Sequence, residues 1–239
     1  MTSNNQPSNN QPSIHQPSIY QQCLGVDFDR LHPQIQKRFG FSSRDRIAAV
    51  GRGVMENVWH GPLYTLPFLY VGTWRNIMFP ARGRNIPFTI ENYAYQDSFG
   101  RETVTWVRKF QFPRRIRRFD ATMIYSQARR RIVDYLGTHQ HLAVDIDISA
   151  DANGGLRLYS GEQRFYENMV SFRFPMYFSG NANVLEWFDD KDGKFKIEVT
   201  VTNRHWGRLF GYTGSFDVEY IDVSIVPPDV KPLREEKRE

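Results

Sequence analysis

Cysteine is almost absent from this 239-residue chain: Cys23 stands alone. A disulfide framework or a cysteine-rich metal site within one chain is thereby excluded, and a reducing compartment is the natural setting. No apolar run approaches the roughly 18 residues of a membrane-spanning helix. No basic stretch followed by an apolar one opens the chain, so no secretory signal is expected and the cytoplasm is the expected location. Charge of one sign is scarce too, with 31 Lys and Arg against 26 Asp and Glu. Much of the small excess falls on Arg108, Lys109, Arg114, Arg115, Arg117, Arg118, Arg129, Arg130 and Arg131. Such a cluster can meet phosphate or an anionic surface. The aromatics alternate with acids as often as with bases, however, so there is no strong signal for nucleic acid.

The common catalytic motifs are missing as well. No Gly-x-Ser-x-Gly nucleophile elbow occurs. Residues 207–214 are glycine-rich but lack the Gly-Lys-Ser/Thr ending and following helix of a phosphate loop. The strand-turn-helix setting of a dinucleotide site is absent. Tight turns and close backbone approach explain these glycines better.

What is present is aromatic and β-branched. The 18 Phe, 12 Tyr and 5 Trp supply ample core and favour strands. Residues 4–18 repeat Asn-Asn-Gln-Pro-Ser twice and end in Ile-His-Gln-Pro-Ser. Residues 1–25 therefore read as a disordered low-complexity tail, 26–232 as one β-rich domain, and 233–239 as a charged C-terminal tail. Residues 31–39 fit a short helix with Pro33 in its first turn and Gly40 as its stop. A second at 64–70 is weakened by Pro67.

Beyond that the period is two. Leu142, Val144, Ile146 and Ile148 alternate with polar or small residues, as do Phe195, Ile197, Val199 and Val201. Residues 184–188 and 195–201, joined through Asp189-Asp-Lys-Asp-Gly193, form the clearest predicted hairpin. Residues 156–159 pair in the same way with the strand before Asp151. Alternation in the last strand changes phase after Tyr220, which predicts a β-bulge, and Pro227 and Pro228 end the strand. Many antiparallel strands with one or two short helices favour a calycin-like β-barrel. A two-sheet β-sandwich or an acetoacetate-decarboxylase-like β fold accommodates the same pattern.

Candidate site residues follow from chemistry and parity. His139 and His141 share a strand face, and His205 can join them in space as an alternative, metal-binding set, with Asp134, Glu162 or Glu198 completing the shell. The pair has the His-x-His spacing of cupins, but Asp145 and Ile146 stand where the cupin glutamate belongs. Glu102, Trp106 and Arg108 share one parity, and Arg101 faces the other way. An arginine beside an aromatic holds a carboxylate or phosphate, or closes a strand end with a neighbouring acid. Glu162 shares a face with Arg164 and Tyr166. The ligand-binding candidates are thus Arg101, Glu102, Trp106, Arg108, His139, His141, Glu162 and His205. Catalytic residues, cofactor and oligomeric state are undetermined at this level.

Several separated segments carry a family resemblance. They are Leu31-His-Pro-Gln-Ile-Gln-Lys-Arg-Phe39, Gly100-Arg-Glu-Thr-Val-Thr-Trp106, Arg118-Phe-Asp-Ala-Thr-Met123, Asp134-Tyr-Leu-Gly-Thr-His139, Gly154-Gly-Leu156, Phe174-Pro175 and Phe210-Gly-Tyr-Thr-Gly-Ser-Phe216. Over about residues 28–232 the chain resembles the uncharacterised bacterial DUF4166 family. The resemblance implies no catalytic set. In some members the domain looks fused to dehydrogenase-like or membrane segments, which hints at a small apolar or lipid-like substrate. The leading expectation is a ligand-binding or accessory β domain for a small apolar or amphipathic molecule with an anionic end. An enzyme with a polar or metal-dependent site at His139 and His141, and a protein-interaction scaffold, are the alternatives.

Overall fold

The computed structural model describes residues 16–74, 76–174 and 179–239. Residues 4–15 of the predicted repeat at 4–18 therefore lie outside the described residues. The strands are β1 Ile47–His60, β2 Gly83–Gln96, β3 Glu102–Phe112, β4 Arg115–Ser126, β5 Arg131–Leu136 and β6 Leu142–Ala150. They continue as β7 Leu156–Glu167, β8 Val170–Arg173, β9 Asn181–Asp189, β10 Lys194–Asn203 and β11 Gly207–Asp222. The helices are α1 Ile19–Leu24, α2 Pro33–Phe39 and α3 Leu66–Trp74.

Neighbouring strands run β6-β5-β4-β3-β2-β1-β11-β10-β9-β7, and β6 pairs with β7 to close the ring. The result is a ten-stranded antiparallel barrel, with β8 hydrogen-bonded to β7 outside the ring. Closure leaves the ring no free edge. The calycin-like barrel is the observed alternative, and the predicted hairpin of β9 and β10 forms with Phe195 opposite Phe188 and Val199 opposite Val184.

Alternation explains the filling. Phe195, Ile197, Val199 and Val201 of β10 and Phe210, Tyr212 and Phe216 of β11 are all in the main core. Phe88, Phe110 and Tyr212 interlock, with ring centres 4.9 to 6.1 Å apart. Such tilted and edge-on contacts suit aromatic quadrupoles.

The N-terminal helices close the end of the barrel that carries the β2–β3, β6–β7 and β9–β10 turns. Structure begins ahead of residue 26, where the folded part was expected. Ser18 caps α1 by accepting from the Gln21 amide, and Gln21 returns the bond in a capping box. Ile19 and Tyr20 are buried against the core, so this stretch has apolar area to bury where the repeat has none. The His32 amide donates to the Gly154 carbonyl at 2.9 Å. Gly154 has φ +78°, and an added Cβ would sit 2.8 Å from the His32 nitrogen, so α2 can seat on the β6–β7 turn only over a glycine. The helix expected around 64–70 forms after a single 3-10 turn, with Pro67 in its first turn, where no amide is needed.

One expectation fails in the last strand. β11 pairs with β1 without interruption from Ala48–Ile221 through Gly51–Val218, so no bulge accompanies the change of phase. The outward residue Ile221 is instead covered, with Ala48, Tyr93, Val107 and Val230 forming a second small core on the barrel's outer wall. The charged C-terminal tail is hydrogen-bonded to the barrel. Glu236 is buried, accepts from Arg234 and Arg238, and its amide donates to the Gln140 side chain at 2.6 Å. Arg101 holds the Glu236 carbonyl, and the Tyr135 and Tyr166 hydroxyls hold those of Arg238 and Glu239.

Candidate functional site

β3 turns Val104, Trp106 and Phe110 into the core, and Arg108 shares their parity. β5 does the same with Ile132, Asp134 and Leu136. An arginine and an aspartate are therefore delivered to an apolar interior by simple alternation. Both line a cavity of about 100 Å³ whose wall includes Trp106, Val144, Leu158, Val184 and Val199. Ser160, Gln163 and Ser179 add polar groups, and Gln163 is fixed by donating to the Gly180 carbonyl at 2.9 Å.

Arg108 is only 4% exposed. Its Nε donates to the Phe119 carbonyl at 3.1 Å and its Nη1 to the Tyr212 hydroxyl at 3.2 Å. The guanidinium stands 3.8 Å from the centre of the Phe119 ring and 5.5 Å from that of Trp106. Among the described residues no carboxylate approaches it within ion-pairing distance. A buried cation with no carboxylate in ion-pairing range is costly.

Asp134 shows the complementary sign of strain. Burial pushes its carboxyl up to about 7, against the opposing pull of Arg108 and of a backbone hydrogen bond from Thr122. Its Oδ1 has no hydrogen-bond partner among the described residues. The cavity thus presents one fixed positive charge and one carboxyl that carries or releases a proton near neutrality.

Towards the helical end the interior stays polar. The Trp106 indole donates to the Tyr20 hydroxyl at 2.9 Å. Arg38 of α2, fully buried, pairs with Glu186 of β9, and its Nη2 donates to Asn92 at 3.3 Å. Burial raises the Glu186 carboxyl, with Arg38 opposing. Glu186 Oε2, Arg38 Nη1 and Tyr220 Oη have no partner among the described residues. A water, a ligand or a proton is the usual answer to such groups.

The eight sequence candidates separate. Trp106 and Arg108 line the cavity. Arg101, on the opposite parity, faces outward and pairs with Asp97 at 2.7 Å beneath the C-terminal segment. Glu102 has the inward parity but lies at the strand's first residue, where the Ser43 amide and hydroxyl each bind it at 2.6 Å. Its carboxyl is raised by burial, which those bonds oppose. Glu162 lies outside because the β6–β7 register shifts between Val144 and Ile146; it pairs with Arg173 at 3.0 Å.

The histidine pair stacks with ring centres 5.7 Å apart, and His141 Nδ1 lies 2.7 Å from Glu167. Left-handed backbone at Gly137 and Gln140 carries this loop past the barrel wall, and Arg234 reaches the His139 carbonyl at 3.3 Å. His205 sits in the separate β10–β11 turn, where its amide donates to Asn203. Among the described residues no group of three His, Cys, Asp or Glu side chains could hold a metal ion. Asp134 is the site residue that sequence reasoning underweighted. Its signal was an acid between Ile132 and Leu136 on the apolar parity of a strand. Tyr212 had a like signal, alternating with Phe210 across Gly211.

Fold and cavity together define a closed antiparallel β-barrel with a small polar-and-apolar interior chamber. The chain belongs to the family described as a domain of unknown function, DUF4166, whose model matches residues 31–216. It is 33% identical over 194 residues to the uncharacterized protein YndH of Bacillus subtilis (strain 168), covering 81% of this chain and 94% of that protein. No solved structure matches it.

Proposed function

We propose that this barrel binds a small amphipathic molecule with an anionic end, and that Arg108 receives that end. The observation that carries the reading is the buried guanidinium on the cavity wall with no carboxylate in ion-pairing range among the described residues. A ligand carboxylate would supply the missing charge through two parallel hydrogen bonds. Protonated Asp134 would donate to its second oxygen, and the wall of Val144, Leu158, Val184 and Val199 would take the apolar body. A cavity of about 100 Å³ suits a short chain or compact ring.

Calorimetric titration of straight-chain carboxylates from butanoate to octanoate tests this. Affinity should rise by roughly fourfold per methylene, about 0.8 kcal/mol each, until the cavity is full. Absence of binding across the series, together with no retained small molecule in native mass spectra, would remove the reading.

A further inference from the structure

The end of the barrel opposite α1 and α2 differs in composition from the rest of the surface. Antiparallel alternation brings to it residues 61–74 and 76–82 and the β3–β4 and β10–β11 turns, alongside the β5–β6 turn and the β7–β8 turn with Glu167. Residues 61–84, 111–119 and 203–212 contain no Asp or Glu. They carry Arg82, Arg84, Arg114, Arg115, Arg204 and Arg208, all exposed. None of these six has an ion-pair partner among the described residues. The other end is mixed: its β9–β10 turn bears Asp189, Asp190 and Asp192 with Lys191, and its β4–β5 turn bears Arg129 and Arg130.

Large apolar side chains are exposed beside those arginines. Leu63 is 78% exposed and Ile116 65%, and Tyr64 and Tyr70 are more than half exposed. Contacts join the segments into one face. The Tyr64 hydroxyl donates to the Trp206 carbonyl at 3.1 Å, and their rings lie 5.7 Å apart. The Gly61 amide donates to the Leu209 carbonyl. Phe79 and Phe112 lie 5.9 Å apart and the Asp120 amide donates to the Asn76 carbonyl at 2.9 Å, which places the segment after α3 against the β3–β4 hairpin.

We infer that this face docks on an anionic phospholipid surface, with Leu63, Tyr64, Tyr70 and Ile116 entering the headgroup layer and the arginines meeting lipid phosphates. Exposed aliphatic and aromatic side chains among arginines without ion-pair partners among the described residues are the composition of an interfacial anchor. Tyrosine and tryptophan suit the headgroup depth. Each arginine near such a surface contributes about fivefold in partitioning. Bare Leu and Ile argue against nucleic acid, where phosphate contacts need no aliphatic insertion. Ile77 and Met78, which follow α3 in the same segment, line the interior cavity, so the docked end is also the one nearest the chamber.

Co-sedimentation of the full chain with vesicles tests the inference without reference to what the cavity holds. Vesicles of phosphatidylcholine with phosphatidylglycerol should capture the protein, and phosphatidylcholine alone should not. Raised salt should release it. Arg114→Glu with Arg115→Glu, and separately Leu63→Ser with Ile116→Ser, should each weaken capture at least roughly tenfold with circular dichroism unchanged. Lys191→Glu at the opposite end should leave capture as in the parent. Equal capture by both vesicle types, or none by either, would overturn the inference. So would capture that both double variants retain. Preference for poly(U) RNA over anionic vesicles, unaffected by Leu63→Ser with Ile116→Ser, would reassign the face to nucleic acid.

Discussion

Arg108 of β3 donates to the hydroxyl of Tyr212 on β11 at 3.2 Å, across the interior of a barrel in which two strands separate β3 from β11. This contact and the Phe119 carbonyl hold the guanidinium at the cavity wall while leaving it without an ion pair among the described residues. The barrel therefore keeps a desolvated cation at the wall of its cavity. Sites with that character commonly trade stability for function.

Arg108→Met should reveal this trade. Removing an unpaired buried cation in favour of an apolar side chain of similar length should leave stability within about 1 kcal/mol of the parent, or raise it. Arg38→Met is the contrast, because it strands the fully buried Glu186 carboxylate. It should cost about 3–5 kcal/mol, partly restored by adding Glu186→Gln. Urea denaturation of the three variants measures both effects.

Asp134 makes stability depend on pH. Its folded value of about 7 lies above the ordinary 3.8, so the native state holds a proton that the unfolded chain releases. Stability contributed by that proton is complete below about pH 3.8 and is lost as pH rises to about 7. Asp134→Asn should therefore gain on the parent as pH rises from 4 to 8, by an amount on the order of 4 kcal/mol at most. Thermal melts at the two ends of that range provide the comparison; equal differences would show that Asp134 titrates normally.

Tyr20→Phe tests the N-terminal plug. The substitution leaves the buried Trp106 indole without its acceptor at 2.9 Å. It should cost about 1–3 kcal/mol and shift tryptophan emission.

Glu236 should govern the C-terminal segment. Its carboxyl is held down to about 2, chiefly by the Arg238 hydrogen bond. Its contribution is present above the ordinary 4.5 and is lost as pH falls towards 2. Glu236→Gln should weaken protection of residues 229–239 in hydrogen exchange at pH 7 while leaving the inner strands protected.

Alternation made much of the barrel legible. The β9–β10 hairpin could be read from the Asp-rich turn and the strict period of Phe195 to Val201, and the shared parity of Trp106 and Arg108 put them on one face of β3. What stayed hidden depends on long-range partners. Nothing local shows that Glu236 will meet Gln140, or that Ile221 will be covered by Val230. The same limit dispersed the candidate site. Arg101, Glu162 and the histidine pair carry the right chemistry, but their facing depends on a register shift, two left-handed loop residues and the returning C-terminus.

The central claim concerns charge recognition at Arg108, and calorimetry with hexanoate and hexanol tests it most directly. The parent should bind hexanoate more tightly than hexanol. Arg108→Met should lose that preference while still binding hexanol. A preference for hexanoate that survives Arg108→Met would contradict the assignment.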